Sequence, residues 1–327
     1  MSQTNILLES GTNELEIVEF YLDEVGKSGE HYQGYYGVNV AKVLEIIRLP
    51  KITEMPEVNH PSVLGAFNQR SHIIPLVDLA MWLGKERVES EAPKVVVTEF
   101  NQVTSAFMVS GVTRIHRISW EEVEQPNKYV SALSNNSITG VVKLEGRIVF
   151  ILDLEKIVAD LNPSLGLRLD ESIDWSSDDG YRALVADDSA LVREMLKDLM
   201  TKAGFKVETV NNGREAWDRL QAIKAKAEED EASLWDYVNV MVSDIEMPMM
   251  DGHNLTKRVR EDPFLKDMPI ILFSSLITDK LRHKGDNVGA DEQVSKPEVS
   301  KLAIRAKELI QERMAGKSFV QKESSGN

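Results

Sequence analysis

Residues 238–252 read VNVMVSDIEMPMMDG, an apolar run that stops at Asp244 and is followed by a turn-forming segment. A short apolar run bounded by turn signals is typical of a strand that is buried on both faces of a parallel sheet. In parallel α/β sheets, functional residues gather where the strands end. Asp244 is therefore the first candidate functional residue, and the stretch around it predicts an α/β fold for this part of the chain.

Similar apolar runs lie on both sides of this stretch and alternate with helical patterns. The runs cover residues 183–186, 207–210 and 270–273, and amphipathic helices are predicted over residues 190–202 and 299–314. This alternation predicts a doubly wound parallel sheet. The acidic, Ala-rich residues 224–233 are predicted to form a helical extension on the surface, and residues 317–327 a disordered polar tail.

Polar residues follow each predicted strand at the point where it ends. In chain order they are Asp187 and Asp188, Asp244, Ser274 and Ser275, and Lys296 and Pro297. Because the carboxyl ends of parallel strands meet at one edge of a sheet, we expect these side chains to lie close together. The edge would then carry three carboxylates, a pair of hydroxyl groups and a lysine.

The three carboxylates predict a metal site. Carboxylates this close together cannot all stay ionised without a cation. An all-oxygen ligand set suits Mg²⁺, which takes few protein ligands and keeps several waters. We expect Asp188 and Asp244 to ligate the ion, with Asp187 beside them or hydrogen-bonded to its ligands, and the backbone carbonyl of Glu246 to add a further ligand.

The same edge predicts phosphoryl chemistry. Asp244 is expected to act as the nucleophile and to form an acyl phosphate, a known type of covalent carboxylate intermediate. Lys296 would balance the charge of the phosphoryl oxygens, and Ser274 would form a hydrogen bond with them. Such a site works by positioning and electrostatics, as phosphoryl transfer generally does.

Each of these residues, taken alone, has a simpler structural interpretation. An Asp pair after a strand is often a helix cap or a turn, and Lys296 could be a solvated lysine. Asp251 is predicted to cap the helix that begins at Gly252. The nearby residues Met247, Met249 and Met250 are predicted to pack in the core rather than to bind a metal.

These segments resemble the response-regulator receiver family. Residues 187–188 match its acidic pair, and VSDIEMP at 242–248 followed by MDG at 250–252 resembles its phosphoacceptor motif. FSS at 273–275 and SKP at 295–297 resemble its hydroxyl and lysine–proline motifs. The resemblance covers about residues 181–315 and implies a flavodoxin-like (βα)5 fold. Gln293 stands where the family often has an aromatic residue that moves on phosphorylation.

The first half of the chain has a different pattern. Between residues 14 and 155, short β-type runs are punctuated by turn residues, which favours an all-β barrel or sandwich with one or two inserted helices. Its His residues do not have metal-ligand spacing, and it has no glycine-rich phosphate loop. These features favour an interaction module. Residues 164–180 are predicted to be a linker, with a long ordered loop as the alternative.

This half resembles the CheW family of chemotaxis coupling proteins. The matching segments are YGVNVAKVLEII at 36–47, NHPSVLGAFNQRS at 59–71, IIPLVDL at 73–79 and IVFILD at 148–153. The resemblance implies two small five-stranded β-barrels that bridge chemoreceptors and the histidine kinase CheA. It makes Arg70, Val38, Val40 and Val43 candidate partner contacts, although Arg70 could be a solvated arginine and the three valines core residues. Ser71 replaces the usual glycine after the arginine.

The order of the two halves resembles the CheV family, in which a coupling domain precedes a receiver. The domains expected from it are a CheW-like domain over residues 1–165, a linker over 166–180, a receiver over 181–315 and a polar tail over 316–327. The implied function is a scaffold that couples chemoreceptor tails to CheA and is modulated by phosphorylation of Asp244. The alternative is a phosphate sink that drains phosphoryl groups from the kinase. Neither is an enzyme beyond catalysing its own Mg²⁺-dependent phosphorylation and dephosphorylation.

Composition excludes several other classes of protein. The 327 residues carry a formal net charge of −15, which disfavours nucleic acid and bare anionic membrane as partners. A DNA-binding response regulator is disfavoured further because no helix-turn-helix follows the receiver. A phosphatase with an Asp nucleophile would need a second Asp at position 246, where Glu246 stands. The chain has no cysteine, signal peptide or long apolar run, so we expect a cytoplasmic protein. The resemblance to the CheV family implies that it is recruited to membrane-associated receptor arrays.

Overall fold

The computed structural model describes residues 13–56, 58, 60–70, 72–100, 103–126, 137–161, 180–275 and 279–324. The chain forms two compact units, one of residues 15–166 and the other of residues 167–327 together with residues 1–14. The linker predicted over residues 166–180 lies outside the described residues except for Gly180. Each unit is considered by itself below.

Among its described residues, the unit of residues 15–166 has ten strands, the first beginning at Glu14, and two short α-helices. The strands are β1 (Glu14–Val25), β2 (His31–Asn39), β3 (Val43–Arg48), β4 (Val63–Gln69), β5 (His72–Asp78), β6 (Lys94–Phe100), β7 (Val103–Val109), β8 (Gly111–Ser119), β9 (Ile138–Leu144) and β10 (Arg147–Leu152). The helices are α1 (Leu79–Trp82) and α2 (Leu154–Leu161). The strands form two five-stranded sheets, in the orders β8-β1-β2-β10-β9 and β3-β6-β7-β5-β4. The predicted all-β fold is confirmed.

Strand β1 illustrates why this sequence forms a sheet with a buried face. Its residues read ELEIVEFYLDEV, and the apolar side chains of Val18, Phe20 and Leu22, which lie on one face, are almost completely buried. Alternation of apolar and polar residues along a strand directs one set of side chains into the core. Glu19 departs from the pattern, because its carboxylate is fully buried and needs partners.

In its described residues, the second unit has five parallel strands with helices between them. The strands are β11 (Arg182–Ala186), β12 (Lys206–Val210), β13 (Val240–Asp244), β14 (Ile270–Ser274) and β15 (Glu292–Ser295), in the order β12-β11-β13-β14-β15. The helices are α3 (Ala190–Lys202), α4 (Gly213–Glu229), α5 (Gly252–Glu261), α6 (Asp279–Val288) and α7 (Val299–Ser324). Every residue of β13 and β14 is buried, as expected for central strands of a covered parallel sheet. The predicted α/β fold is confirmed.

Local sequence explains where most of these helices begin and end. Ser189, Asn212 and Asp251 are N-caps whose side chains accept hydrogen bonds from backbone N–H groups of the first helical turn. The predicted capping role of Asp251 is therefore confirmed. Gly204, predicted to end α3, follows it with a positive φ of 86°, a conformation in which glycine is not strained.

The last helix corrects one prediction. Helix α7 continues to Ser324 instead of ending at Met314, so the backbone of residues 317–324 is helical rather than disordered. Gly316 is the only strong helix breaker in this stretch, and one glycine costs a helix about 1 kcal/mol, which is too little to force an end. Among the described residues, neither α7 nor any other helix is long and apolar enough to cross a membrane.

Candidate functional site

The register of the parallel sheet brings the predicted site residues to one edge. Asp244 at the end of β13 lies opposite Phe273, and Ser274 pairs with Ser295, the residue before Lys296. Strand β11 ends beside β13 and leads directly into Asp187. Three loops that are far apart in sequence therefore converge on Asp244, as expected where parallel strands end.

The acidic cluster predicted from the sequence forms in the structure. One carboxylate oxygen from each of Asp187, Asp188 and Asp244 lies within 4.8 Å of the others. Asp187 is completely buried, Asp244 is 6% exposed and Asp188 is partly exposed. The cluster is thus open on one side only, at Asp188.

Lys296 is the counter-charge that this chain itself supplies to the acidic cluster. Its ammonium donates a hydrogen bond to Oδ2 of Asp244 at 3.1 Å and lies 3.4 Å from Oδ2 of Asp187. The lysine is only 7% exposed, which identifies it as a buried ion-pair partner rather than a solvated surface residue. Among these four side chains alone, one ammonium and three carboxylates leave an excess of two negative charges when all are ionised.

That charge excess fits a divalent cation. Burial raises the pKa of the Asp187 carboxyl, Lys296 acts against this by lowering it, and the nearby Asp244 carboxylate raises it further. A cation between the carboxylates would remove this repulsion and keep all of them ionised. Because the available donors are oxygens, a hard ion such as Mg²⁺ suits them.

The backbone on either side of Asp244 is closely packed. Oδ1 of Asp244 accepts a hydrogen bond of 2.7 Å from the N–H of Ile245, which fixes the orientation of the carboxylate. A Cβ on Gly252 would lie 2.2 Å from the carbonyl oxygen of Asp244, so only glycine fits there. Glu246 lies in the loop between these residues, and Ser274, which is 4% exposed, lies at the end of the next strand.

Gln293 occupies its position through specific contacts. The residue is 6% exposed, and its side-chain amide donates a hydrogen bond of 2.9 Å to Oδ1 of Asp286 in α6. A Cβ on Gly285 would lie 2.4 Å from the Gln293 amide carbon, so the missing side chain of Gly285 makes room for it. The sequence identified the unusual residue, but not the partner that holds it.

The candidate partner contacts of the β-rich unit are not equivalent. Val38 is 1% exposed and packs in the core of its unit, which favours the core-residue alternative for it over a partner contact. Alternation along β2 explains this placement. Val40 and Val43 are partly buried and pack against the same core. Arg70 has a side chain that is 82% exposed and lies 3.8 Å from Glu45, so it remains available to a partner.

Two polar features of the structure were not predicted from the sequence. Glu19 accepts two hydrogen bonds of 2.9 Å from the Arg147 guanidinium and one from Thr113. A charged residue on the apolar face of β1 was a signal that could have revealed this cluster. Asn13 contacts Met249 and Asp251 in the loop after Asp244, although it lies more than 230 residues earlier in the chain. No local sequence signal marks that contact.

Comparison with known proteins identifies both units. A model of the CheW-like domain matches residues 27–162, and a model of the response regulator receiver domain matches residues 183–307. Chemotaxis protein CheV3 of Helicobacter pylori is 32% identical over 302 residues, which cover 91% of this chain and 95% of that protein. Chemotaxis protein CheV2 of the same organism is 28% identical over 317 residues. Chemotaxis protein CheW of Thermotoga maritima is 28% identical over 160 residues and matches 49% of this chain and 98% of its own length.

Proposed function

The chain belongs to the CheV family of chemotaxis proteins, and we propose that phosphorylation of Asp244 controls its work as a coupling scaffold. The family establishes the general function, which is chemotaxis signal transduction by a CheW-like domain joined to a receiver. The observation that supports the role of Asp244 is the convergence of three carboxylates and a buried lysine on that residue.

The coupling unit supplies the partner contacts in this proposal. Its partners are the cytoplasmic tails of chemoreceptors and the histidine kinase CheA, in keeping with its similarity to CheW. Arg70 is the candidate contact that its exposure supports best. The protein acts in the cytoplasm at membrane-associated receptor arrays, and its partners are proteins rather than nucleic acid.

The receiver unit supplies a nucleophile. An Asp244 carboxylate oxygen attacks the phosphorus of the kinase phosphohistidine, so that an O–P bond forms while the N–P bond breaks and the imidazole keeps the electron pair. Ile245 holds one carboxylate oxygen through its N–H, and Lys296 donates to the other. The ammonium of Lys296 and the hydroxyl of Ser274 then stabilise the added phosphoryl oxygens.

A magnesium ion fits the acidic cluster of this unit. Asp188 and Asp244 would hold the ion, with the Glu246 carbonyl as a further ligand and Asp187 next to them. When bound, the ion supplies positive charge that neutralises the phosphoryl oxygens. The chain catalyses only its own phosphorylation and its own dephosphorylation, in which water takes the phosphoryl group as inorganic phosphate, so its output is a signal.

The phosphotransfer step is tested directly with purified CheA. We expect phosphoryl transfer from radiolabelled kinase to this chain in the presence of Mg²⁺, and its loss in Asp244→Asn. Asp218→Asn is the matched control, because Asp218 is an exposed aspartate in α4 of the same unit. Transfer to Asp244→Asn at the wild-type rate would contradict the assignment of the phosphoacceptor.

A further inference from the structure

The loop that follows the phosphoacceptor is held mainly by its own backbone and by its methionines. We call residues 245–251 the phosphorylation loop. The N–H of Gly252 donates to the carbonyl of Ile245 at 2.9 Å and closes the loop at its base. Met247 and Met250 are completely buried in the receiver core and anchor its middle. The exposed part of the loop is the turn at Met249.

Asn13 contacts this turn with both ends of its side-chain amide. Its Oδ1 accepts a hydrogen bond of 3.0 Å from the backbone N–H of Asp251, and its Nδ2 donates to the carbonyl of Met249 at 3.4 Å. The Met249 carbonyl and the Asp251 N–H lie on either side of Met250, so the side-chain amide of Asn13 spans the turn. Asn13 is 6% exposed, which makes this a buried contact rather than a surface encounter.

The backbone at both residues supports a specific role. Asn13 has φ 60° and Met249 has φ 66°, both in the left-handed region. Asparagine tolerates this region well, whereas a residue such as methionine adopts it only where the surroundings impose it. The hydrogen bond from Asn13 Nδ2 to the Met249 carbonyl is a contact with this left-handed turn.

We propose that Asn13 is a positioning residue for phosphorylation, which holds the phosphorylation loop in the conformation that Asp244 and Glu246 require. The inference rests on the proposed function of Asp244. The two hydrogen bonds of Asn13 described above go to the backbone of the loop, so it acts on Asp244 through the loop. Asn13 thus forms part of the receiver site, although it lies at the opposite end of the sequence from the receiver motifs.

Three variants of the full-length protein separate the parts of this contact. Asn13→Gly removes the whole amide and keeps the left-handed backbone unstrained. Asn13→Asp keeps the oxygen that accepts from Asp251 but removes the donor to Met249. Asn211→Gly is the matched control, because Asn211 is an exposed asparagine of the same unit whose amide pairs with Glu215.

The first measurement is amide hydrogen exchange in metal-free protein. We expect the Asp251 amide to exchange about tenfold faster in Asn13→Gly than in wild type, as for the loss of one closing hydrogen bond. Asn13→Asp should keep that protection. The second measurement is the Mg²⁺ dissociation constant, which we expect to rise about threefold or more in Asn13→Gly, together with a slower phosphorylation by acetyl phosphate.

The outcomes separate this inference from the proposed function. If wild-type protein is not phosphorylated at all, the proposed function fails. If wild type is phosphorylated and Asn13→Gly matches Asn211→Gly in both Asp251 exchange and Mg²⁺ affinity, the positioning role is overturned. Faster exchange with unchanged Mg²⁺ affinity and phosphorylation rate would also overturn it, because the contact would then be structural only.

Discussion

The ammonium of Lys296 lies 3.1 Å from Oδ2 of Asp244, and both residues are almost completely buried. The same ammonium is 3.4 Å from the Asp187 carboxylate, so one lysine pairs with two of the three acidic residues at the end of the parallel sheet. A divalent ion at the acidic cluster would therefore act on the same carboxylates as the lysine.

Replacement of the lysine should change metal binding and phosphorylation in opposite directions. In Lys296→Met, loss of the positive charge should tighten Mg²⁺ binding about tenfold, because the ion no longer competes with an ammonium for Asp187 and Asp244. The phosphorylation rate should fall about 100-fold, as when one group that stabilises a transition-state charge is lost. Lys301→Met is the control, since Lys301 is exposed and pairs with Glu298. Weaker Mg²⁺ binding in Lys296→Met would refute the shared-site account.

Removal of a metal ligand should act differently from removal of the lysine. Asp188→Asn should weaken Mg²⁺ binding about tenfold or more, since a carboxylate ligand becomes a neutral amide. Phosphorylation by acetyl phosphate should then need correspondingly more Mg²⁺, and excess chelator should abolish it in wild type. Asp198→Asn is the matched control, because Asp198 is an exposed aspartate of α3. Equal phosphorylation rates with and without chelator would show that the cluster works without an ion.

The Glu19 cluster should make the coupling unit sensitive to acid. Burial alone would raise the pKa of Glu19, but hydrogen bonds from Arg147, Thr113 and His116 lower it from 4.5 to about 2. Because the folded-state pKa is the lower one, ionised Glu19 contributes about 3 kcal/mol to the free energy of unfolding above pH 4.5. This contribution is lost as the pH falls toward 2.

Calorimetry of the full-length protein checks the Glu19 prediction. The unfolding transition of the coupling unit should be the one whose midpoint temperature Mg²⁺ does not shift. In Glu19→Gln, this midpoint temperature should depend less on pH below pH 4.5 than in wild type. Glu124→Gln is the control, because Glu124 forms an exposed ion pair with Lys143 that contributes little. If the stability of the coupling unit falls equally steeply with acid in Glu19→Gln and in wild type, groups other than Glu19 cause the loss.

Arg70 should affect binding without affecting stability. In Arg70→Glu, we expect at least one of the contacts with CheA or a receptor tail to weaken, because a charge at an interface is reversed. The free energy of unfolding should change by less than about 0.5 kcal/mol, since the side chain is exposed. Arg114→Glu is the control, because Arg114 is an exposed arginine of β8, which lies in the other sheet of the same unit. Pull-down experiments with unchanged binding to both partners would make Arg70 an ordinary surface residue.

The sequence predicted the receiver unit well because its determinants are local. Each apolar run is long enough for a buried strand, and the polar residue that ends it lies at the edge by the geometry of a parallel sheet. Asp244, Asp187 and Lys296 could therefore be placed together without coordinates. The two five-stranded sheets of the first unit came from family resemblance, since short β runs alone leave barrel and sandwich open.

The sequence could not predict contacts that depend on tertiary structure. Both faces of the strand that contains Val38 carry a tyrosine, Tyr35 on one and Tyr36 on the other, so the alternation alone did not show which face is buried. Gln293 could be recognised as unusual, but its pairing with Asp286 depends on the space left by Gly285. The contact of Asn13 with the phosphorylation loop joins opposite ends of the chain, and neither end carries a pattern that indicates it.

The most direct test of the scaffold account measures CheA autophosphorylation in reconstituted receptor arrays that contain this chain, with and without beryllofluoride as a phosphate mimic. We predict that the mimic changes kinase activity in arrays with wild type or Asp218→Ala. In arrays with Asp244→Ala, the chain should still bind and couple, but the mimic should have no effect. If the mimic leaves kinase activity unchanged in wild-type arrays while CheA still transfers its phosphoryl group to Asp244, the receiver is a phosphate sink and the account of a phosphorylation-controlled scaffold is wrong.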